Sequence, residues 1–202
     1  MISIPMIRRQ LANDLVGRHI YFFGPGPSAN ANLRRLAEAG AQEGTVVLAE
    51  GDGSTFHASA LFRPVLPLAA APVFASIATL ALAEAIASEG LCATPVWPSQ
   101  VVVEGDTVAT STVEAAPAGD RTAYVILGID VDVRALEAVA RRWVDPNGVL
   151  AAFLNALDRW SAAYAARGPA VVRSAIRFLP RGSSARALEE QHAGAAIVVS
   201  VP

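Results

Sequence analysis

Residues 124–133 read YVILGIDVDV, an uninterrupted apolar run from Tyr124 that gives way to alternating aspartates and valines up to Val133. The first half has the β-branched texture of a strand buried on both faces. In the second half Asp130 and Asp132 lie two residues apart, so both carboxylates project to one side of the strand. Such a strand needs neighbours, and the chain on its N-terminal side supplies them. Ala93–Trp97, Gln100–Val103 and Thr107–Glu114 are β-rich runs, the last two separated by a Glu104-Gly105-Asp106 turn in the manner of a hairpin. Earlier still, His19–Phe23 (HIYFF), Thr45–Ala49 (TVVLA) and Ala58–Phe62 read as strands.

Helices fall between and after these strands. Asn30–Ala39 places Leu33, Leu36 and Ala37 on one face, with Ser28 as a candidate N-cap and Gly40 as the stop. The uncharged stretch Val65–Ala83 approaches the length of a membrane span, but Pro67, Pro72, Ser76 and Thr79 interrupt it and alanine dominates it. A buried helix with Pro72 in its first turn and Gly90 past its end is the expectation. Leu136, Ala140 and Trp143 suggest a further helix. Asp145-Pro146 then opens a long one carrying Leu150, Leu154, Leu157, Trp160 and Tyr164, ended by Gly168-Pro169. One α+β domain follows, with an apolar strand at Ala195–Val201 after a tail bearing Arg173, Arg177, Arg181 and Arg186.

The chain has 202 residues, 53% of them hydrophobic and 17% charged, with a formal net charge of −2. This composition excludes intrinsic disorder and is sufficient to build a core. The acidic balance lacks the basic stripe of a nucleic-acid binder. All 16 basic residues are arginine; there is no lysine to act as nucleophile, Schiff-base former or phosphate clamp. A single cysteine, Cys92, allows no internal disulfide, and the N-terminal residues show no apolar core of signal-peptide length, so a cytoplasmic protein is expected.

Local motifs give little by themselves. Gly24-Pro25-Gly26-Pro27 lacks the third glycine of a dinucleotide loop, and its prolines remove amide donors. Glu50-Gly51-Asp52-Gly53-Ser54-Thr55 has the glycines of a phosphate loop but carries two carboxylates. His19, His57 and His192 have no metal-ligand spacing, and no metal site is expected. His57 follows the polar turn and reads as a loop histidine. Asp130 and Asp132 read either as the solvent side of an edge strand or as a general-base pair.

Taken in order, these segments resemble the biotin/lipoate protein ligase family, most closely the catalytic domain of biotin protein ligases. Ser28-Ala29-Asn30-Ala31 with Arg35-Leu36-Ala37-Glu38-Ala39-Gly40 is similar to the family's S-T-N-D helix and its R-L-A-E-A-G end. Glu43–Glu50 resembles the strand entering the ligand loop, and Leu61-Phe62-Arg63-Pro64 the L-x-R-P strand end. Trp97-Pro98-Ser99-Gln100 stands where the family has K-W-P-N-D, Val108–Glu114 on V-A-G-I-L-x-E, and Gly128-Ile129-Asp130-Val131-Asp132 on G-I-G-V-N. The resemblance spans about residues 20–180. It implies a mixed, largely antiparallel sheet packed by helices, as in the class II aminoacyl-tRNA synthetase/biotin protein ligase catalytic domain. Residues 1–180 would form the ligase-like domain, and 181–202 a short C-terminal extension in place of the family's small barrel.

The resemblance also implies biotin, ATP and Mg²⁺ as ligands, and acyl transfer to a carrier-protein lysine. Ser28 and Asn30 would stand near the biotin head group, with Trp97 beneath the site and Asp132 at the asparagine position. The departures are specific. The segment from Glu50 to Leu61 is shorter than the family's Gly/Arg loop and has no arginine, Val96 takes the place of the lysine, and Ala109-Thr110-Ser111-Thr112 replaces a close-approach glycine. A ligase-like protein without adenylate formation is therefore expected, binding a small acyl ligand, a carrier domain or another protein. The alternative is an acyl ligase or transferase rebuilt around His57, Asp130 or Asp132. A homodimer through a sheet edge is a third expectation, and repression of DNA is not expected.

Overall fold

A computed structural model describes residues 2–13, 15–24, 26, 28–50 and 54–178. The expected extension at 181–202, including His192 and the Ala195–Val201 strand, lies outside the described residues, as do Pro25, Pro27 and the Gly51-Asp52-Gly53 portion of the acidic turn.

The described strands are β1 (Ile20–Phe23), β2 (Val46–Glu50), β3 (Thr55–Phe62), β4 (Thr94–Val96), β5 (Gln100–Val103), β6 (Asp106–Ala118) and β7 (Arg121–Asp132). They form one sheet in the order β1-β2-β3-β7-β6-β5-β4. Only β1 and β2 run parallel. They are joined through α2 (Ala29–Glu38), the kind of crossover that parallel neighbours require. The remaining pairings are antiparallel, which agrees with the mixed, largely antiparallel sheet implied by the resemblance.

Alternation along the strands divides the side chains between two faces. One face presents Val46, Leu48, Phe56, Ala58, Ala60, Phe62, Leu127, Ile129 and Val131 to a large core. It is covered by α3 (Val73–Ala87) and, outside that helix, by α5 (Pro146–Arg167). Eleven of the fifteen residues of α3 are buried. A helix apolar on all sides is what a position between sheet and helix demands. Leu68–Ala87 passes the length and composition test for a membrane span, yet two-thirds of it is buried inside the protein. The other face presents Val47, Ala49, Leu61 and Ile126 to Ala29, Leu33 and Ala37 of α2.

The structure changes four readings of the sequence. Strand β3 begins at Thr55, so His57 is a strand residue rather than a loop residue. Strand β7 lies between β3 and β6, so Asp130 is in the middle of the sheet and not on an edge. Helix α4 (Val133–Ala140) ends where Arg141 turns left-handed, and Trp143 is 70% exposed instead of sharing the buried face of Leu136. A helix unread in the sequence, α1 (Ile4–Gln10), packs on α5; the amides of Ser3 and Ala12 donate to the side-chain oxygens of Asn147 and Asn155. The last described helix is α6 (Ala170–Phe178).

Candidate functional site

Helix α2 covers only part of its face of the sheet, and the remainder is a cavity of about 440 Å³. Its lining runs from Ser28, Ala29 and Asn30 at the start of α2 to His57 and Ser59 of β3, Thr112 and Glu114 of β6, and Gly128 and Asp130 of β7. Register explains the gathering. His57 pairs with Asp130, Ser59 with Gly128, and Thr112 also with Gly128, so one row of polar residues crosses three adjacent strands.

Asn30 organises the floor. Its Nδ2 donates to Glu114 Oε1 at 2.8 Å and to Thr112 Oγ1 at 3.3 Å, while its Oδ1 accepts from the Ser59 hydroxyl. The other Glu114 oxygen takes the Arg34 guanidinium, and this bond is the main reason the Arg34 pKa is raised above its ordinary value. Ser28 caps α2 by accepting from the Ala31 amide at 3.2 Å, as the sequence suggested. Gly128 is what allows Asn30 to lie over the sheet. A Cβ there would come within 2.4 Å of Asn30 Oδ1 and 2.7 Å of Thr112 Oγ1.

On one side of this floor His57 Nδ1 is hydrogen-bonded to Asp130 Oδ1. Two residues separated by 73 positions in the chain thus form a cross-strand imidazole–carboxylate pair. Both are partly open to solvent, with side-chain exposures of 37% and 49%.

Four of the six candidate residues from the sequence therefore meet: Ser28, Asn30, His57 and Asp130 all line the cavity. Trp97 and Asp132 do not line it. Trp97 is half-buried against the large core, in a turn anchored where Thr79 of α3 donates to the Pro98 carbonyl at 2.7 Å. Asp132 caps α4 by accepting from the Ala135 amide at 2.9 Å. Val96 belongs to β4 at the far edge of the sheet. Sequence reasoning missed Ser59, Thr112, Glu114, Gly128 and Arg34 as site residues. The available signal was polarity recurring at every second position, His57 with Ser59 and Thr110 with Thr112 and Glu114, in strands whose intervening residues are largely apolar.

The solved structures matched include a biotin protein ligase-like protein of unknown function from Silicibacter sp. TM1040, at TM-score 0.72 and 17% identity, covering 85% of this chain and 82% of the other. They also include the biotin protein ligase from Aquifex aeolicus, at TM-score 0.64 and 16% identity, covering 79% and 75%. This chain has the fold of the biotin protein ligase catalytic domain. The sequence points the same way: it is 26% identical over 148 residues to the bifunctional ligase/repressor BirA of Bacillus spizizenii, covering 65% of this chain and 46% of that protein. The chain thus spans about half the length of the curated relatives it matches. No family profile matches it. Fold and sequence together support the biotin/lipoate protein ligase family, catalytic-domain-like. Among the Aquifex ligase structures are complexes with biotin alone and with biotin and ATP.

The R-P strand end of the ligase-like pattern has a structural explanation in this chain. Arg63 donates to the carbonyls of Ala37 and Ala41 at 2.8 and 3.0 Å, tying the end of α2 to the end of β3, and lies over the Tyr124 ring.

Proposed function

We propose that this ligase-like chain binds a small acyl or ring-bearing ligand in the cavity at the start of α2 and does not form an acyl-adenylate. The observation that carries the reading is the polar floor of the cavity, where Asn30, Ser59, Thr112 and Glu114 are locked by mutual hydrogen bonds around Gly128. A pre-organised polar floor beside apolar wall residues such as Ala29 and Ala49 suits a small ligand with polar and apolar portions. Ser28 and Asn30 stand in that lining, and the resemblance assigns them to the head-group end of biotin.

The lining does not fit a nucleotide triphosphate. No arginine occurs among the described lining residues, and lysine is absent from the whole chain. Two carboxylates, Glu114 and Asp130, face the cavity instead. The nearby cation Arg34 is already held by Glu114. Among the described lining residues no arginine or lysine meets the phosphate charge at a carboxyl–phosphate junction, and such cationic partners supply much of the rate of acyl activation.

Titration calorimetry with biotin, ATP and a non-hydrolysable biotinyl-adenylate analogue tests this. Biotin or its acyl-chain fragments should bind with no ATP dependence, and Asn30→Ala should abolish the heat. Submicromolar, ATP-dependent binding accompanied by modification of a carrier lysine overturns the reading, and so does the absence of binding by any of these acids.

A further inference from the structure

We propose that His57 and Asp130 make this cavity a hydrolytic site for activated acyl groups, with His57 as the general base and water as the nucleophile. The inference rests on the binding reading above and adds a reaction to it.

Three observations carry it. The pair is held cross-strand in the middle of the sheet, on adjacent strands β3 and β7, whose alternate residues Phe56, Ala58, Ile129 and Val131 are buried in the core of the opposite face and fix the register that brings it together. Both side chains line the same cavity as the Asn30 floor, so a ligand held there lies beside them. The Asp130 carboxylate contacts Nδ1 of the imidazole, and because a carboxylate only accepts, the neutral ring paired with it carries its proton on Nδ1 and its lone pair on Nε2. An imidazole oriented by a carboxylate on one nitrogen is the arrangement that general-base catalysis through the other requires.

The step balances with water as the sole co-reactant. Nε2 takes a proton from water as its oxygen bonds to the acyl carbonyl carbon. Collapse of the tetrahedral intermediate breaks the bond from that carbon to the leaving oxygen or sulfur. The proton held on Nε2 passes to the departing alkoxide or thiolate, giving a free acid and an alcohol or thiol. Negative charge developing on the carbonyl oxygen is favoured near the N-terminus of α2, whose first residues Ala29 and Asn30 line the cavity. His57 is the catalytic residue in this scheme. Asp130 is a positioning residue that acts through it.

The test uses the full chain with p-nitrophenyl esters and thioesters of valerate and of biotin, alongside calorimetry with the corresponding free acids. Turnover is expected in the unaltered chain, falling by roughly 10²-fold or more in kcat with His57→Ala and returning in part on addition of free imidazole. Asp130→Asn should lower kcat at unchanged KM, which loss of fold or of binding would not do. His19→Gln, an exposed histidine outside the cavity, should leave the rate unchanged and excludes general histidine-catalysed hydrolysis. Equal turnover in His57→Ala overturns the proposal. So does absence of turnover while a free acid binds, a result that leaves the binding reading standing. Absence of both turnover and binding overturns the two together. Retained thermal unfolding and acid binding in His57→Ala show that a lost rate is not a lost fold.

Discussion

The two faces of the sheet are built from the same strands, yet alternate residues have been put to opposite uses. On the face beneath α3 and α5, β3 contributes Phe56, Ala58, Ala60 and Phe62, and β7 contributes Val125, Leu127, Ile129 and Val131, all buried. On the other face β3 contributes His57 and Ser59 before Leu61, and β7 contributes Asp130 and Gly128 before Ile126. The apolar positions Leu61 and Ile126 lie under α2; the polar ones lie beyond its N-terminus. One helix too short to cover its face leaves a row of side chains with no packing duty. Those residues are held instead by hydrogen bonds to one another, and a ligand site becomes available.

The packed face carries the larger share of the stability. Phe62 is fully buried and its ring lies 5.2 Å from that of Phe74 on α3. Phe62→Ala should cost about 3–5 kcal/mol in urea unfolding, through lost burial and the cavity it leaves. A loss under about 1 kcal/mol would mean that this face is not the main source of stability.

Gly128→Ala probes the other face. The added methyl must displace Asn30 or Thr112, so stability should fall by about 1–3 kcal/mol and calorimetric binding of acyl acids should disappear. Unchanged binding would show that Asn30 is not part of the recognition floor.

Ser28→Ala removes the cap of α2 and should cost about 1 kcal/mol. Glu114→Gln leaves Arg34 without its carboxylate. Because the pair is partly exposed, stability should fall by less than about 1 kcal/mol, while ligand binding weakens further as the Asn30 contact is altered.

The smallest effect is a titration. Burial raises the pKa of Tyr164 on the packed face and, with the charge of Glu38, that of Tyr124 on the α2 face. A tyrosine raised in the folded state favours the neutral ring there. Its contribution is complete below the ordinary tyrosine range and is lost as pH rises through that range and past the folded value. Alkaline unfolding midpoints of Tyr164→Phe and Tyr124→Phe should therefore both move upward, and no movement in either would remove burial as the cause.

Much of the fold was legible in the residues. The αβ order, the Ser28 cap, the Asp145-Pro146 start of α5, the buried character of α3 and the hairpin ahead of β6 follow from local chemistry: caps, proline placement, turn residues and apolar runs. Those signals act within a few residues and survive without tertiary context. The N-terminal helix was missed because its anchors are distant. Its flanking backbone is held by Asn147 and Asn155, and a short helix gains its stability from such packing rather than from propensity.

The candidate site divides the same way. Sequence by itself determined the residue types: no lysine, Val96 ahead of Trp97, a histidine after the acidic turn and paired aspartates two apart. Resemblance supplied Ser28 and Asn30. Only the tertiary structure decided which of these stand together. Strand register put His57 opposite Asp130 and Ser59 opposite Gly128, sent Asp132 to cap α4, and left Trp97 against the core. The reason is physical. A one-residue shift in register reverses the face of every side chain in a strand, and register is fixed by packing of the whole sheet against α3 and α5. Local sequence encodes which groups are available, and the burial of the opposite face encodes where they meet.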